Sequence, residues 1–100
     1  MYERIREILL IHRGKENPIT DRQISRIMGF PLEDTQSVSR KAIWETAVRY
    51  DLALASCSKG YFIVNHQNEL DEYNNNIQRR IDGMIQTRNL VNENFRRINQ

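Results

Sequence analysis

Leu70, Ile77, Met84, Val91 and Ile98 recur every seven residues through the last third of a 100-residue chain. With Asn74, Ile81, Arg88 and Phe95 between them, the spacing alternates four and three, as a coiled-coil seam does. Only a continuous helix satisfies that pattern; with Asn68 as its cap it would extend about 43 Å at 1.5 Å per residue. A helix of that length is too long for so small a core to cover. The expectation is that its first turns dock on the first helix of the chain, while Ile77, Ile81, Met84, Val91, Phe95 and Ile98 pair with a second copy, giving a homodimer. Asn74 and Arg88 interrupt the seam, and Gly83 costs about 1 kcal/mol in a helix interior. The flanking positions are mostly uncharged, so they leave open whether the paired helices run parallel or antiparallel.

The remainder must then supply one modest core. Two prolines and four glycines favour helix over irregular structure, and 39% hydrophobic with 28% charged residues is ordinary for a globular domain. The expected class is mainly α (α+β). A net charge of +2 is compatible with a nucleic-acid partner without requiring one. Cys57 is the single cysteine, which excludes a disulfide within the chain. No apolar run approaches the roughly 18 residues of a membrane span, and charges interrupt residues 1–12 where a signal peptide would be apolar. No membrane association and a cytoplasmic location are expected.

Ile5, Ile8, Leu9 and Ile11 stand at helical spacing, predicting a first helix that ends near Gly14. Thr20 and Gln23 form a capping box, with Ile19 and Ile24 at the positions of a hydrophobic staple. A short second helix should run from Asp21 to Met28, closed by Gly29 and Pro31, with Ile24, Ile27 and Met28 facing inward. A third helix is expected from an Asp34 or Thr35 cap to Tyr50, with Ile43, Ala47 and Tyr50 inward. Trp44 and Val48 form a second stripe about 100° round that helix. Trp44 either packs on the first or the last helix or stands exposed as an anchor for a protein partner. The polar side of the first turns carries Gln36, Ser37, Arg40 and Lys41, residue types able to reach base edges and phosphates from a helix in the major groove. Glu33, Asp34 and Glu45 lie close by, and a solvated mixed-charge helix is the alternative.

Beyond Tyr50 the period changes from helical to alternating. Residues 52–57 and 61–64 read as two short strands joined around Ser58, Lys59 and Gly60, with Gly60 supplying a positive φ and Lys59 placed to meet a phosphate. His12, His66 and Cys57 lack the number and spacing of a metal site, so no metal or other cofactor is expected. Neither a phosphate-binding glycine loop nor a Ser-His-Asp or Cys-His set can be identified, which makes an enzyme the least supported class.

Three helices, a short hairpin and a long helix, in that order, resemble a winged helix-turn-helix domain. The stretch SKGYFIVNHQNELDEYNNNIQRRI is similar to that of small phage- or prophage-encoded winged-helix proteins, in which a Gly-Tyr-aromatic strand precedes an acidic-capped helix with a Glu-Leu-x-x-Tyr run. The matching positions are Gly60, Tyr61 and Phe62, then Glu69, Leu70 and Tyr73, and the pattern covers residues 35 to about 85. The expected division is a winged-helix domain over 1–66 and a long, coiled-coil-like C-terminal helix over 67–100. The resemblance implies a DNA-binding or replication-associated accessory protein of a mobile element, in a bacterial or phage-infected cell. The basic run of the third helix is here reduced to Arg40, Lys41 and Arg49. Double-stranded DNA is therefore the expected partner, through Gln36, Ser37, Arg40, Lys41 and Lys59. The alternative is a non-catalytic protein-interaction module on the same scaffold.

Overall fold

The structure is a computed structural model that describes residues 1–99. Its elements are α1 (Tyr2–Ile11), α2 (Asp21–Met28), α3 (Ser37–Tyr50), β1 (Leu54–Cys57), β2 (Gly60–Ile63) and α4 (Gln67–Ile98). This is a mainly helical α+β chain with an antiparallel hairpin and a long last helix, an order compatible with a helix-turn-helix followed by a wing. It divides into two compact units, Met1–Glu69 and a second that begins at Leu70.

The first unit is built around Ile5 and Leu9 of α1, Ile24 of α2 and Ile43 of α3, all fully buried, with Ile19, Ala42 and Ile63 completing the cluster. Each large aliphatic side chain withdrawn from water in this way contributes about 1.5–3 kcal/mol. Ile8, Met28, Phe30, Leu52, Leu54 and Tyr61 close the margin. Both halves of the α2 capping box are present: Gln23 N–H donates to Thr20 Oγ1 at 3.0 Å and Thr20 N–H to Gln23 Oε1 at 2.9 Å. Gly29 closes α2 in the left-handed conformation, φ 74°.

Several boundaries and faces differ from the sequence expectation. α1 stops at Ile11, short of Gly14, because His12 leaves helical geometry and the chain turns to pair with β2. Ile11 is accordingly 70% exposed, and Ile27, expected inward on α2, is 47% exposed. The buried place beside Ile24 belongs to Ser25, which finds a polar partner there. α3 begins at Ser37 after Gln36, two or one residues later than an Asp34 or Thr35 cap would give.

Strands β1 and β2 pair from Leu54↔Ile63 to Cys57↔Gly60, leaving Ser58 and Lys59 as the turn. A two-stranded ribbon is marginal by itself. Here the free edge of β2 is taken up by the α1–α2 connection. Ile63 N–H donates to His12 O and Gly14 N–H to Ile63 O, both at 2.8 Å; Ile19 and Tyr61 exchange two further bonds of 2.8 and 2.7 Å. The approach is close enough that a Cβ on Gly60 would lie 2.4 Å from Ile19 O, and Gly60 has φ 132°. The positive φ thus serves the packing of the wing onto residue 19 as well as the turn.

Glu69 fastens the start of α4 to the same unit. Its carboxylate accepts from the backbone N–H of Lys15 at 2.6 Å, of Asn65 at 2.9 Å and of His66 at 3.2 Å. The helix starts at Gln67, so Glu69 occupies its third position and satisfies orphan donors from there, in place of the expected Asn68 cap. The two units therefore part after Glu69, three residues into the region expected to be the separate helix.

Two outcomes follow from these contacts. Gly60→Ala should destabilise the protein by on the order of 2 kcal/mol or more, read as a lower denaturation midpoint, because both the φ and the Ile19 carbonyl oppose a side chain; an unchanged midpoint would remove the close approach from the account. Hydrogen bonds from Lys15, then Asn65 and His66, hold the Glu69 pKa below its ordinary 4.5. A carboxylate lowered in the folded state contributes stability that is complete above the unfolded pKa and lost as pH falls through the folded one. Glu69→Gln should therefore flatten the fall of melting temperature between roughly pH 5.5 and pH 3. A fall as steep as wild type would show that other carboxylates govern it.

Candidate nucleic-acid interface

The inward side of α3 carries Ser39, Ala42, Ile43, Thr46 and Ala47, all buried. Ser37, Lys41, Trp44 and Val48 recur at i, i+4, i+7 and i+11, a single line along the opposite, exposed face. Arg40 lies beside that line. The two stripes that the sequence separates, a polar one and an apolar one, are therefore successive halves of one outward surface.

Gln36 is not part of it. It is 3% exposed and sits in the left-handed region at φ 53°, a conformation costly for a residue with a side chain. Its side-chain amide donates to Glu33 O, and its Oε1 accepts from the buried Ser25 hydroxyl at 2.9 Å. Its backbone carbonyl accepts from Arg40 N–H and from Ser39 Oγ, each at 3.0 Å. These bonds offset the backbone cost and make Gln36 the polar plug of the α2–α3 corner. The side chain is withdrawn from any contact with DNA.

The remaining members of the set are exposed, and those on α3 face carboxylates. Ser37 Oγ donates to Glu33 at 3.1 Å. Arg40 Nε meets Asp21, in the first turn of α2, at 2.8 Å, with the arginine side chain 60% exposed. This pair bridges α2 to α3 and holds the Arg40 pKa above its ordinary value, through the hydrogen bond first and the Asp21 charge second. Lys41 Nζ lies 4.0 Å from Glu45 one turn on. Surface pairs of this kind are worth about 0–1 kcal/mol, so they orient the cations without locking them. Lys59 is exposed in the β1–β2 turn. Tyr61, one pair from that turn, lies near the same corner: burial chiefly, then the charge of Asp21, raises its pKa, while Arg40 acts to lower it.

The apolar half of the surface is more exposed than packing on a neighbour would allow. Trp44 is 67% and Val48 60% exposed, and with Tyr2, Glu45 and Arg49 they line a shallow groove between α1 and α3. Tyr2 Oη donates to the Glu45 carboxylate, and the Arg49 guanidinium lies 4.4 Å from the centre of the Tyr2 ring. Sequence reasoning left Trp44 between packing and exposure; the groove resolves it, since the pair across it is tyrosine and arginine with Trp44 at the rim.

Among the described residues no group of three or more His, Cys, Asp or Glu could hold a metal ion, and no helix is long and apolar enough to cross a membrane. His12 Nδ1 is 3.0 Å from Asn17 O, a structural contact within the α1–α2 connection. Compared with protein-family models, with curated proteins and with solved structures, the chain matches none.

Trp44 is the only tryptophan, so its fluorescence reports this face directly. The emission should be that of a water-exposed indole and open to an aqueous quencher, and Trp44→Ala should change stability by no more than about 0.5 kcal/mol. A blue-shifted, quencher-protected emission in the purified protein would mean that something covers the groove in solution.

Proposed function

We propose that the chain binds double-stranded DNA, laying the first turns of α3 in a major groove with Ser37, Arg40 and Lys41 toward the duplex and Lys59 of the wing on a phosphate. The observation that carries this reading is the outward, exposed position of those three α3 side chains at the corner where α2, α3 and the turn end of the hairpin meet. It is a reading without chemistry of its own, suited to a transcriptional or replication regulator of a phage or mobile element, as the winged-helix resemblance implies. Paired copies, joined along α4, would present two such faces to one duplex.

A second reading has its own observation. Trp44 and Val48 continue the same outward line, and an exposed tryptophan beside an apolar groove is a common anchor in protein interfaces. On that reading the unit is a protein-interaction module, and α3 binds through its second half instead of its first.

An anisotropy titration against mixed-sequence duplex, repeated across salt, separates the two. On the DNA reading the triple variant Arg40→Ala, Lys41→Ala, Lys59→Ala stays folded, binds more weakly and loses up to three contacts from the salt dependence, each worth about 0.9 in log–log slope. Asp21→Asn, which releases Arg40 from its carboxylate, should tighten binding. Absence of wild-type binding at low salt would overturn the DNA reading in favour of the protein module.

A further inference from the structure

Within the first unit the cationic side chains divide by what they touch. Arg40 and Lys41 face carboxylates, Asp21 at 2.8 Å and Glu45 at 4.0 Å. Arg6 and Arg49 lie over the rings of Tyr50 and Tyr2, at 5.0 and 4.4 Å, and Lys15 is engaged as well. Among the described residues the others, Arg4, Arg13, Arg22, Arg26 and Lys59, have no side-chain hydrogen bond, ion pair or ring contact, and all of them are exposed. The uncompensated positive charge of this unit therefore lies off α3.

Arg22 and Arg26 are the two that share a line. They stand at i and i+4 on α2, with Cβ atoms about 5–6 Å apart. Asp21 and Ser25, each one position earlier, are the α2 side chains that touch α3, through Arg40 and through Gln36 at 2.9 Å. One residue is about 100° of helix, so the arginine line adjoins the α3 side of α2. The wing turn abuts the start of the same helix: Gly60, next to Lys59, is packed against the carbonyl of Ile19 and the amide nitrogen of Thr20. Arg22, Arg26 and Lys59 thus border the corner where Arg40 sits. Arg4 stands elsewhere, between Glu3 and Glu7 of α1, and Arg13 beside Ile63 at the end of the hairpin away from its turn.

Two arginines on one line suit an anion with several acceptor oxygens, because a guanidinium forks onto phosphate through two N–H bonds. A phosphate that reaches Arg40 or Lys41 competes with Asp21 or Glu45; at Arg22 and Arg26 it displaces no carboxylate. Asp21, next to Arg22 in sequence, is turned to Arg40, and its side chain is only 18% exposed. Nor does the fold gain from Arg22, whose charge in the first turn of α2 opposes the helix dipole.

We propose that Arg22 and Arg26 of α2 hold the phosphate backbone of the duplex, so that the salt-dependent part of binding comes from α2 and Lys59 while α3 approaches the bases; this rests on the DNA reading of the proposed function. The test is an anisotropy titration of the full-length protein against mixed-sequence duplex across salt. Arg22→Gln with Arg26→Gln removes both charges while keeping good helix formers. It should keep the wild-type melting temperature and flatten the log–log salt slope by about 1.8, and each single change by about 0.9. Arg22→Lys with Arg26→Lys keeps the charges and should keep the slope. Arg4→Gln with Arg13→Gln, an equal loss of net charge away from the corner, should bind with the wild-type slope. An unflattened slope in the α2 glutamine pair, or the same flattening in the Arg4 and Arg13 pair, would overturn the assignment. Weaker binding by the Arg40, Lys41 and Lys59 triple variant would in that case leave the DNA reading standing, whereas no binding by wild type at low salt would overturn both.

Discussion

Backbone pairing along the outer edge of β2 is the constraint on which the first unit depends. Two short strands cannot hold their own register in water, and the wing contributes only Ala55, Phe62 and Ile63 as buried apolar side chains. Four hydrogen bonds from residues 12–19 convert the hairpin into part of the core. They also fix the α1–α2 connection, bring Ile19 beneath the hydrophobic cluster and set Thr20 where it can cap α2. The absence of a side chain at residue 60 is what lets the two backbones meet, so one glycine couples the wing to the helical layer.

What was legible in the sequence was whatever repeats or follows a local rule. The capping box of α2, the inward stripe of α3 through Ile43 and Ala47, the hairpin around Ser58 and Lys59, and the continuity of α4 all announce themselves within a dozen residues. The Ile19 bridge does not, because a pairing one residue long has no period. Nor does the burial of Gln36: a polar residue at the head of a helix looks solvated until Ser25, eleven positions earlier, is known to lie against it. Glu69 stood in the third position of α4, where a carboxylate commonly caps, but its bond to Lys15 spans 54 residues and could not be read locally.

The candidate site divides along the same line. Exposure of Ser37, Arg40, Lys41 and Lys59 follows from helical phase and from the turn, both local. The pairing of Arg40 with Asp21 joins two helices and decides more than exposure does, since it sets where the guanidinium points before any partner arrives. With Glu33 on Ser37 and Glu45 near Lys41, the outward face of α3 carries its own counter-charges. A phosphate would have to displace them, at a cost of up to about 1 kcal/mol for each exposed pair.

A single face so compensated, on a chain of net charge +2, would bind a polyanion weakly. That gives the exposed seam of α4 a consequence on the DNA reading. Joining two weak modules makes the second contact intramolecular, with an effective concentration reaching the millimolar range for short tethers and a gain in avidity of about 10²–10⁴ without any new contact. The gain requires that both faces reach the duplex at once.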